Sequence, residues 1–339
     1  LDLVMSDHLM FKAHKALFLN TFAFTCCFAV WMFNGVVVTF LTSNQVFEWS
    51  AVEIGWLLGL PVLTGAIFRL PAGILTDKFG GKPVMIGLLL FCAVPMFMMS
   101  YATTYLQFAI CSFGFGITGA SFAVGIAFTS VWYPREKQGT ALGIFGAGNA
   151  GAAGTTLFAP TILHDLTKGG ADVEGWRTLP IYYAALLVGV AVLFLLFSEN
   201  KKPASSDKNL VQLLQPLKEV RVWRFGLYYF LVFGCFVAFS QWLVPYFVNV
   251  YNMTLVTAGF LAALFSFPSG VIRALGGWLS DRVGARRVMY WVLGSSIAIS
   301  ALLTVPQMEI TSPGRGVMSK AKGTITAVNS GEIIIGDVV

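Results

Sequence analysis

The stretch Arg69 to Lys82, RLPAGILTDKFGGK, recurs as Arg273 to Arg286, RALGGWLSDRVGAR, at an offset of 204 residues. Gly73 aligns with Gly277, Asp77 with Asp281, Lys78 with Arg282, Gly80 with Gly284 and Lys82 with Arg286, and the match runs upstream through Gly55/Gly259 and Leu57/Leu261. Each copy closes an apolar segment and opens onto a short basic turn. The chain therefore reads as two halves repeated in parallel about an axis along the membrane normal. The glycines permit close helix packing and a tight turn, and the aspartates suit a helix N-terminus or a cation partner. The basic residues hold the turn on the cytoplasmic side. Such turns are expected to act as gating latches rather than as a substrate site.

Around this repeat the composition is that of a membrane protein. Hydrophobic residues make up 57% of the 339 and charged residues 11%, against roughly 25% charged in a soluble domain. Nine apolar segments of spanning length are predicted, near 16–40, 52–76, 83–101, 105–132, 138–163, 178–197, 222–248, 255–280 and 287–305. With the N-terminus placed in the cytoplasm, fifteen of the 22 Lys and Arg fall inside and five outside. The net charge of +6 is then topology, not a sign of nucleic acid. The expected organisation is an N-terminal six-helix half over 1–198, a cytoplasmic linker over 199–221 and the first three helices of a second half over 222–305. An external segment over 306–339 carries a β-hairpin turning at Asn329-Ser330-Gly331. Cys26, Cys27, Cys92, Cys111 and Cys235 lack the spacing of a metal or disulfide framework and read as packing residues.

Two residues stand out chemically. Arg69 and Arg273 lie some seventeen residues into their apolar segments, where an arginine costs on the order of 2.5–3.5 kcal/mol and needs a cavity or a counter-charge. Snorkelling to the nearby surface is the bland alternative. All sixteen carboxylates fall in tails, loops or helix ends, so the counter-charge is expected from outside the chain, as a small anion held by planar guanidinium forks. The fifth segment is the other unusual feature. It packs Gly139, Gly143, Gly146, Gly148, Gly151 and Gly154 into sixteen residues around Asn149, a small-residue pattern that lets helices approach closely. No nucleophile, metal or phosphate-loop constellation appears, so neither enzyme activity nor a cofactor is expected.

The paired turns resemble the loop between helices two and three of the major facilitator superfamily, with its pattern GxL(A/S)D(R/K)xGx(R/K). GASFAVGIAFTSVWYPREKQGTALGIFGAGNAG at 119–151 and GLYYFLVFGCFVAFS at 226–240 resemble helices four, five and seven of its nitrate/nitrite porter family. That resemblance implies an all-α bundle of two six-helix repeats. The nine helices seen here would then be a chain truncated before helices ten to twelve, without the family's second glycine-rich signature. It further implies that Arg69 and Arg273 clamp the anion, that Asn149 and Tyr229 hydrogen-bond it, and that Phe122 and Phe233 stack on its two faces. Gly148 and Gly151 would belong to the pocket's glycine framework. The expected function is a monomeric carrier of nitrate and nitrite in a bacterial inner membrane, working by alternating access and exchange, with a carrier of another anion or a non-transporting sensor as the rivals.

Overall fold

The structure, a computed structural model, describes residues 2–203, 210–302, 324–329 and 332–336. Its elements are α1 (Asp2–Trp31), α2 (Phe33–Ser43), α3 (Ala51–Phe79), α4 (Gly81–Met98), α5 (Tyr105–Gly116), α6 (Ser121–Ser130), α7 (Gln138–Gly146), α8 (Gly151–Leu166) and α9 (Thr178–Phe197). They continue with α10 (Leu210–Leu214), α11 (Val220–Tyr251), α12 (Leu255–Val283) and α13 (Ala285–Leu302). Among the described residues seven helices are long and apolar enough to cross a membrane. Exposed Phe91, Leu106, Ile110, Leu196 and Phe230 give the bundle an apolar outer surface, as a lipid solvent demands.

The two expected segments outside those seven have separate explanations. Segment 138–163, which a 3-10 turn at Ala147–Ala150 divides into helices of 9 and 16 residues, is less apolar than the seven, because its glycines and Asn149 dilute its hydrophobic residues. Segment 287–305 falls in α13, whose 18 described residues carry Arg286 and Arg287 in their first turn. A second 3-10 turn, Ile117–Ala120, divides α5 from α6 in the same way.

The repeat is reproduced in the backbone. Ser50 and Thr254 accept a hydrogen bond from the third backbone N–H of α3 and α12, a cap that starts both helices at the same point of the repeat. Both helices are 29 residues long, and both stop at a glycine in the left-handed region, Gly80 at φ +85° and Gly284 at φ +92°. A side chain at either glycine would strain that turn.

The start of the linker is not a loose tether. Lys82 Nζ donates to the Ser198 carbonyl at 2.6 Å, Asn200 Nδ2 donates to the Phe79 carbonyl at 2.9 Å, and Lys12 pairs with Glu199 at 3.0 Å. Residues 198–200 thus staple the end of α9 to the turn after α3. At the opposite end of the bundle α11 meets the first span. Gln241 Nε2 donates to the Leu58 carbonyl at 3.3 Å, and a Cβ at Gly35 would lie 2.9 Å from the Gln241 carbonyl. Asn34 Nδ2 donates at 2.6 Å to the Leu57 carbonyl, the acceptor that Pro61 leaves without its helical partner.

Four of the cysteines are buried among apolar neighbours, whereas Cys235 is exposed. Thr324–Asn329 and Glu332–Gly336 pair as a short antiparallel ladder. Ser330 and Gly331 of the expected hairpin turn lie outside the described residues, as does 303–323. The architecture that positions the arginines is helical throughout.

Candidate functional site

Arg69 projects from α3 and Arg273 from α12, each partly buried at mid-helix. Both lie against Phe233 of α11. The Arg69 guanidinium carbon is 5.0 Å from its ring centroid and that of Arg273 is 5.3 Å away, so the two charges are within about 10 Å of each other. Among the described residues the ion pairs are Lys12–Glu199 and Arg177–Glu174, and neither involves these arginines.

Aromatic rings do what carboxylates do not. The Arg69 guanidinium sits 5.6 Å from Trp31, 5.4 Å from Phe122 and 5.8 Å from Tyr229, in addition to Phe233, and Arg273 sits 5.4 Å from Phe236. Each such contact stabilises a desolvated cation by about 1–2 kcal/mol without neutralising it. The positive charge therefore remains available. Arg69 also donates through Nε to the Gly119 carbonyl at 3.3 Å and through Nη1 to the Tyr229 hydroxyl at 3.4 Å, both long. Gly119 lies in the 3-10 turn between α5 and α6, which places its carbonyl toward α3.

Arg273 is held differently. Asn149, fully buried in the turn between α7 and α8, sets the end of its carboxamide 2.8, 2.9 and 3.0 Å from Nε, Nη1 and Nη2, three near-equal distances that place it over the face of the guanidinium and not on its N–H edge. The opposite amide orientation would set donors against donors, so the oxygen faces the arginine. Asn149 and Arg273, both expected to meet the anion, thus lie against each other in this conformation.

Two further expectations need correction. Phe122 and Phe233 stack on each other with centroids 5.7 Å apart and planes 20° from parallel. A flat anion between two rings needs about 7 Å, twice a normal contact distance of about 3.5 Å. The two rings close the site here rather than sandwiching a solute, and Tyr229 continues the stack 4.7 Å from Phe233. Gly148 and Gly151 face the first span and not the arginines. A Cβ at Gly148 would lie 2.6 Å from Phe24, and one at Gly151 would collide with the Thr25 carbonyl. It is Gly146 that looks onto Arg273, with a Cβ position 3.4 Å from its Cδ.

Of the turn residues, Asp281 has a clear partner. Its carboxylate accepts from the backbone N–H of Gly139 at 3.0 Å and of Thr140 at 2.6 Å, and from the Thr140 hydroxyl at 2.6 Å. This caps the N-terminus of α7 from the other half of the molecule, where helix dipole and free N–H groups favour a negative charge. Gly277 lies against Gly139 and Gly143 one turn away, allowing the backbones to touch. Arg282 stacks on Trp278 at 4.3 Å. Asp77 makes no hydrogen bond or ion pair among the described residues, and Gly73 and Lys78 make no notable contact. Asp281→Asn is expected to weaken the cap by about 1 kcal/mol. Uptake in vesicles should slow several-fold while anion affinity, measured by titration, stays unchanged.

Sequence reading missed Trp31, Phe236 and the Gly119 carbonyl. Phe236 follows Phe233 at a spacing of three, which puts both on one helix face, a signal the sequence carried. Trp31 was not: its Nε1 donates to the Pro61 carbonyl at 2.6 Å, and it wedges against Gly65 and Gly119, contacts that exist only in three dimensions.

The sequence model described as Major Facilitator Superfamily matches residues 19–315. The chain belongs to that superfamily. Within it, the chain is a member of the nitrate/nitrite porter family, a family of membrane transporters and not of enzymes. It is 42% identical over 302 residues to the probable nitrate/nitrite antiporter NarK1 of Thermus thermophilus, covering 87% of this chain and 68% of that one. Identity is 29% to the nitrite extrusion protein of Bacillus subtilis strain 168, over 86% of this chain and 71% of the relative. It is 32% to the probable nitrate/nitrite transporter NarK2 of Mycobacterium tuberculosis, over 78% and 66%. The chain thus spans about two thirds of the length of these relatives. A bacterial homologue of the human lysosomal transporter Spinster, solved inward-facing and unoccupied, superposes with a TM-score of 0.57 at 17% identity, over 81% of this chain and 64% of that one, a likeness of fold. The superfamily match ends at residue 315 and does not extend to the strand pair after it.

Proposed function

We propose that the chain forms the anion-handling part of a carrier that exchanges nitrate and nitrite across a bacterial inner membrane by alternating access. The observation that carries this reading is the pair of symmetry-related guanidiniums, Arg69 and Arg273, both against the Phe233 ring and, among the described residues, without a carboxylate partner. A planar, delocalised, weakly hydrated oxyanion suits guanidinium planes and aromatic walls better than a compact, strongly hydrated one. The names of the relatives point to the same substrates.

In this proposal Arg69 and Arg273 supply the charge, the Tyr229 hydroxyl hydrogen-bonds the anion, and Phe122 and Phe233 must part to admit it. The halves 1–198 and 222–305 rock about the site, with 199–221 as the link. The turns containing Gly73, Asp77, Lys78 and Gly80, and Gly277, Asp281, Arg282 and Gly284, latch one closed state on the cytoplasmic side, where the N-terminus also lies. The carrier works as a monomer, without a cofactor. Exchange is favoured over proton symport because the apolar segments hold no mid-membrane carboxylate to relay a proton.

The test is nitrate uptake by the full-length protein into nitrite-loaded vesicles, with and without a pH gradient. Uptake that follows internal nitrite and ignores the gradient is expected. Uptake that requires the gradient and ignores nitrite would contradict exchange, and uptake of phosphate in preference to nitrate would contradict the substrate.

A further inference from the structure

The seam between α1 and α9 carries a feature that the anion site does not use. On α1, Lys15, Phe18 and Phe22 follow one another at spacings of three and four, and on α9 so do Leu186, Gly189, Val190, Leu193 and Phe197, so each set lies along one helix face. Lys15 Nζ is 5.7 Å from the Phe197 ring centroid, while Phe22 faces Leu186 and Leu193. The two faces thus run antiparallel. Between them is an apolar groove of about 460 Å³, lined by Phe22, Leu186, Gly189, Val190, Val192 and Leu193. It opens on the outer surface of the bundle, where Phe22 is 40% and Leu193 41% exposed. Its volume is that of a small-molecule site, roughly 300–1,000 Å³.

Gly189 deepens the groove. A glycine inside the 20-residue α9 weakens the helix relative to alanine, yet a Cβ there would have nothing within 4 Å. Packing among the described residues does not require it.

The groove ends in cations. Lys12, Lys15 and Trp132 line a small cavity together with Phe197 and Glu199, and Lys201 Nζ lies 5.1 Å from the Trp132 ring centroid. Glu199, the carboxylate at this end, is taken by Lys12 at 3.0 Å. Lys15 and Lys201 have no ion pair among the described residues. Lys15 precedes Phe22 by about 10 Å of helix, at 1.5 Å per residue. An apolar groove facing lipid, followed at that distance by unpaired ammonium groups, matches the two parts of one molecule: an acyl chain and an anionic headgroup. A neutral lipid leaves the lysines unmatched. A second copy packed on the same face would set its own lysines against these, since a two-fold interface repeats each patch.

We propose that the α1–α9 seam is a binding site for an anionic phospholipid, with one acyl chain over Gly189 and the headgroup phosphate on Lys15 and Lys201. The headgroup lies beside residues 198–200, which tie α9 to the turn after α3. The lipid therefore braces the N-terminal half where its last helix joins the linker. The site is separate from the arginine pair and does not depend on which anion the protein carries.

The experiment titrates phosphatidylglycerol and phosphatidylcholine of identical acyl chains into the purified, delipidated full-length protein. Native mass spectrometry reads bound lipid and oligomeric state, a thermal melt reads the bracing, and nitrate titration serves as an independent readout. Wild type is expected to hold phosphatidylglycerol at least about fivefold more tightly than phosphatidylcholine and to melt higher with it. Lys15→Gln with Lys201→Gln should abolish that preference and leave phosphatidylcholine unchanged. Gly189→Phe, which fills the groove, should weaken both lipids. Nitrate affinity should stay that of wild type in both variants, showing that they are folded. Equal binding of the two lipids by wild type, or phosphatidylglycerol binding that survives both variants, would overturn the proposal. So would a dimer of the wild type that Gly189→Phe dissociates, which would make a second copy the occupant. A protein that binds no nitrate but keeps the lipid preference would count against the transport reading alone.

Discussion

Arg273→Lys is expected to weaken nitrate binding by about 30- to 100-fold, the loss of one charge-assisted, bidentate interaction of about 2–3 kcal/mol. The charge survives the substitution, so a purely electrostatic site would be little changed. The planar fork does not survive. Lysine offers a compact, strongly hydrated ammonium that cannot satisfy two coplanar oxygens, and it stacks poorly on Phe233 and Phe236, which lie 5.3 and 5.4 Å from the guanidinium. Arg69→Lys should lose at least as much, because four rings surround that guanidinium within 5.8 Å. Titration of nitrate into each purified variant reads the loss directly. Arg286→Lys, which alters an exposed residue in the first turn of α13 outside the site, serves as the control and should bind as wild type does.

The second large effect belongs to the helix crossing that brings Arg273 into place. Gly143 of α7 meets α12 so closely that a Cβ there would lie 2.6 Å from the Arg273 carbonyl and 3.0 Å from the Gly277 Cα. Both neighbours are backbone and cannot swing aside. Gly143→Leu must separate the helices, at a cost of about 1–3 kcal/mol or more from overpacking alone, and it shifts the carrier of the arginine with it. The expected outcome is a melt lowered by several degrees and uptake reduced to near background. Gly154→Ala, in the same glycine-rich run, has nothing within 4 Å of the new methyl group. It should melt no lower than wild type and transport normally, separating a packing requirement at one glycine from mere glycine richness.

That contrast shows what the sequence can and cannot say about the site. The duplicated stretch at Arg69 and Arg273 was legible because a repeat forces equal structure, down to the glycines that end α3 and α12 in the same left-handed turn. The unpaired state of the arginines was legible too, since carboxylates absent from apolar segments cannot appear at membrane depth. The glycine spacing of 139–154 announced close approach but not the neighbour approached. Four-residue spacing defines a face, and Gly148 and Gly151 turn theirs to the first span while Gly139 and Gly143 turn theirs to α12. The break at Ala147–Ala150 followed from no single residue, and it decides where Asn149 points.

Ring spacing was the least legible feature. Phe122 and Phe233 were expected on either side of a substrate, whereas they lie in mutual contact at 5.7 Å. In the alternating-access cycle proposed above, the distance between two aromatic walls belongs to one state of the cycle. Residue types fix which walls exist, not how far apart they stand in that state.

The claim at the centre of this account is that the two buried guanidiniums hold a small planar oxyanion. Competition binding on the purified full-length protein tests it most directly, with labelled nitrate displaced by nitrite, phosphate, sulfate or a short carboxylate at matched ionic strength. Displacement by nitrite, little displacement by the others, and loss of all nitrate binding in the Arg69→Lys, Arg273→Lys double variant are expected. Nitrate binding that survives in the double variant, or that phosphate abolishes at lower concentration than nitrite does, would contradict it.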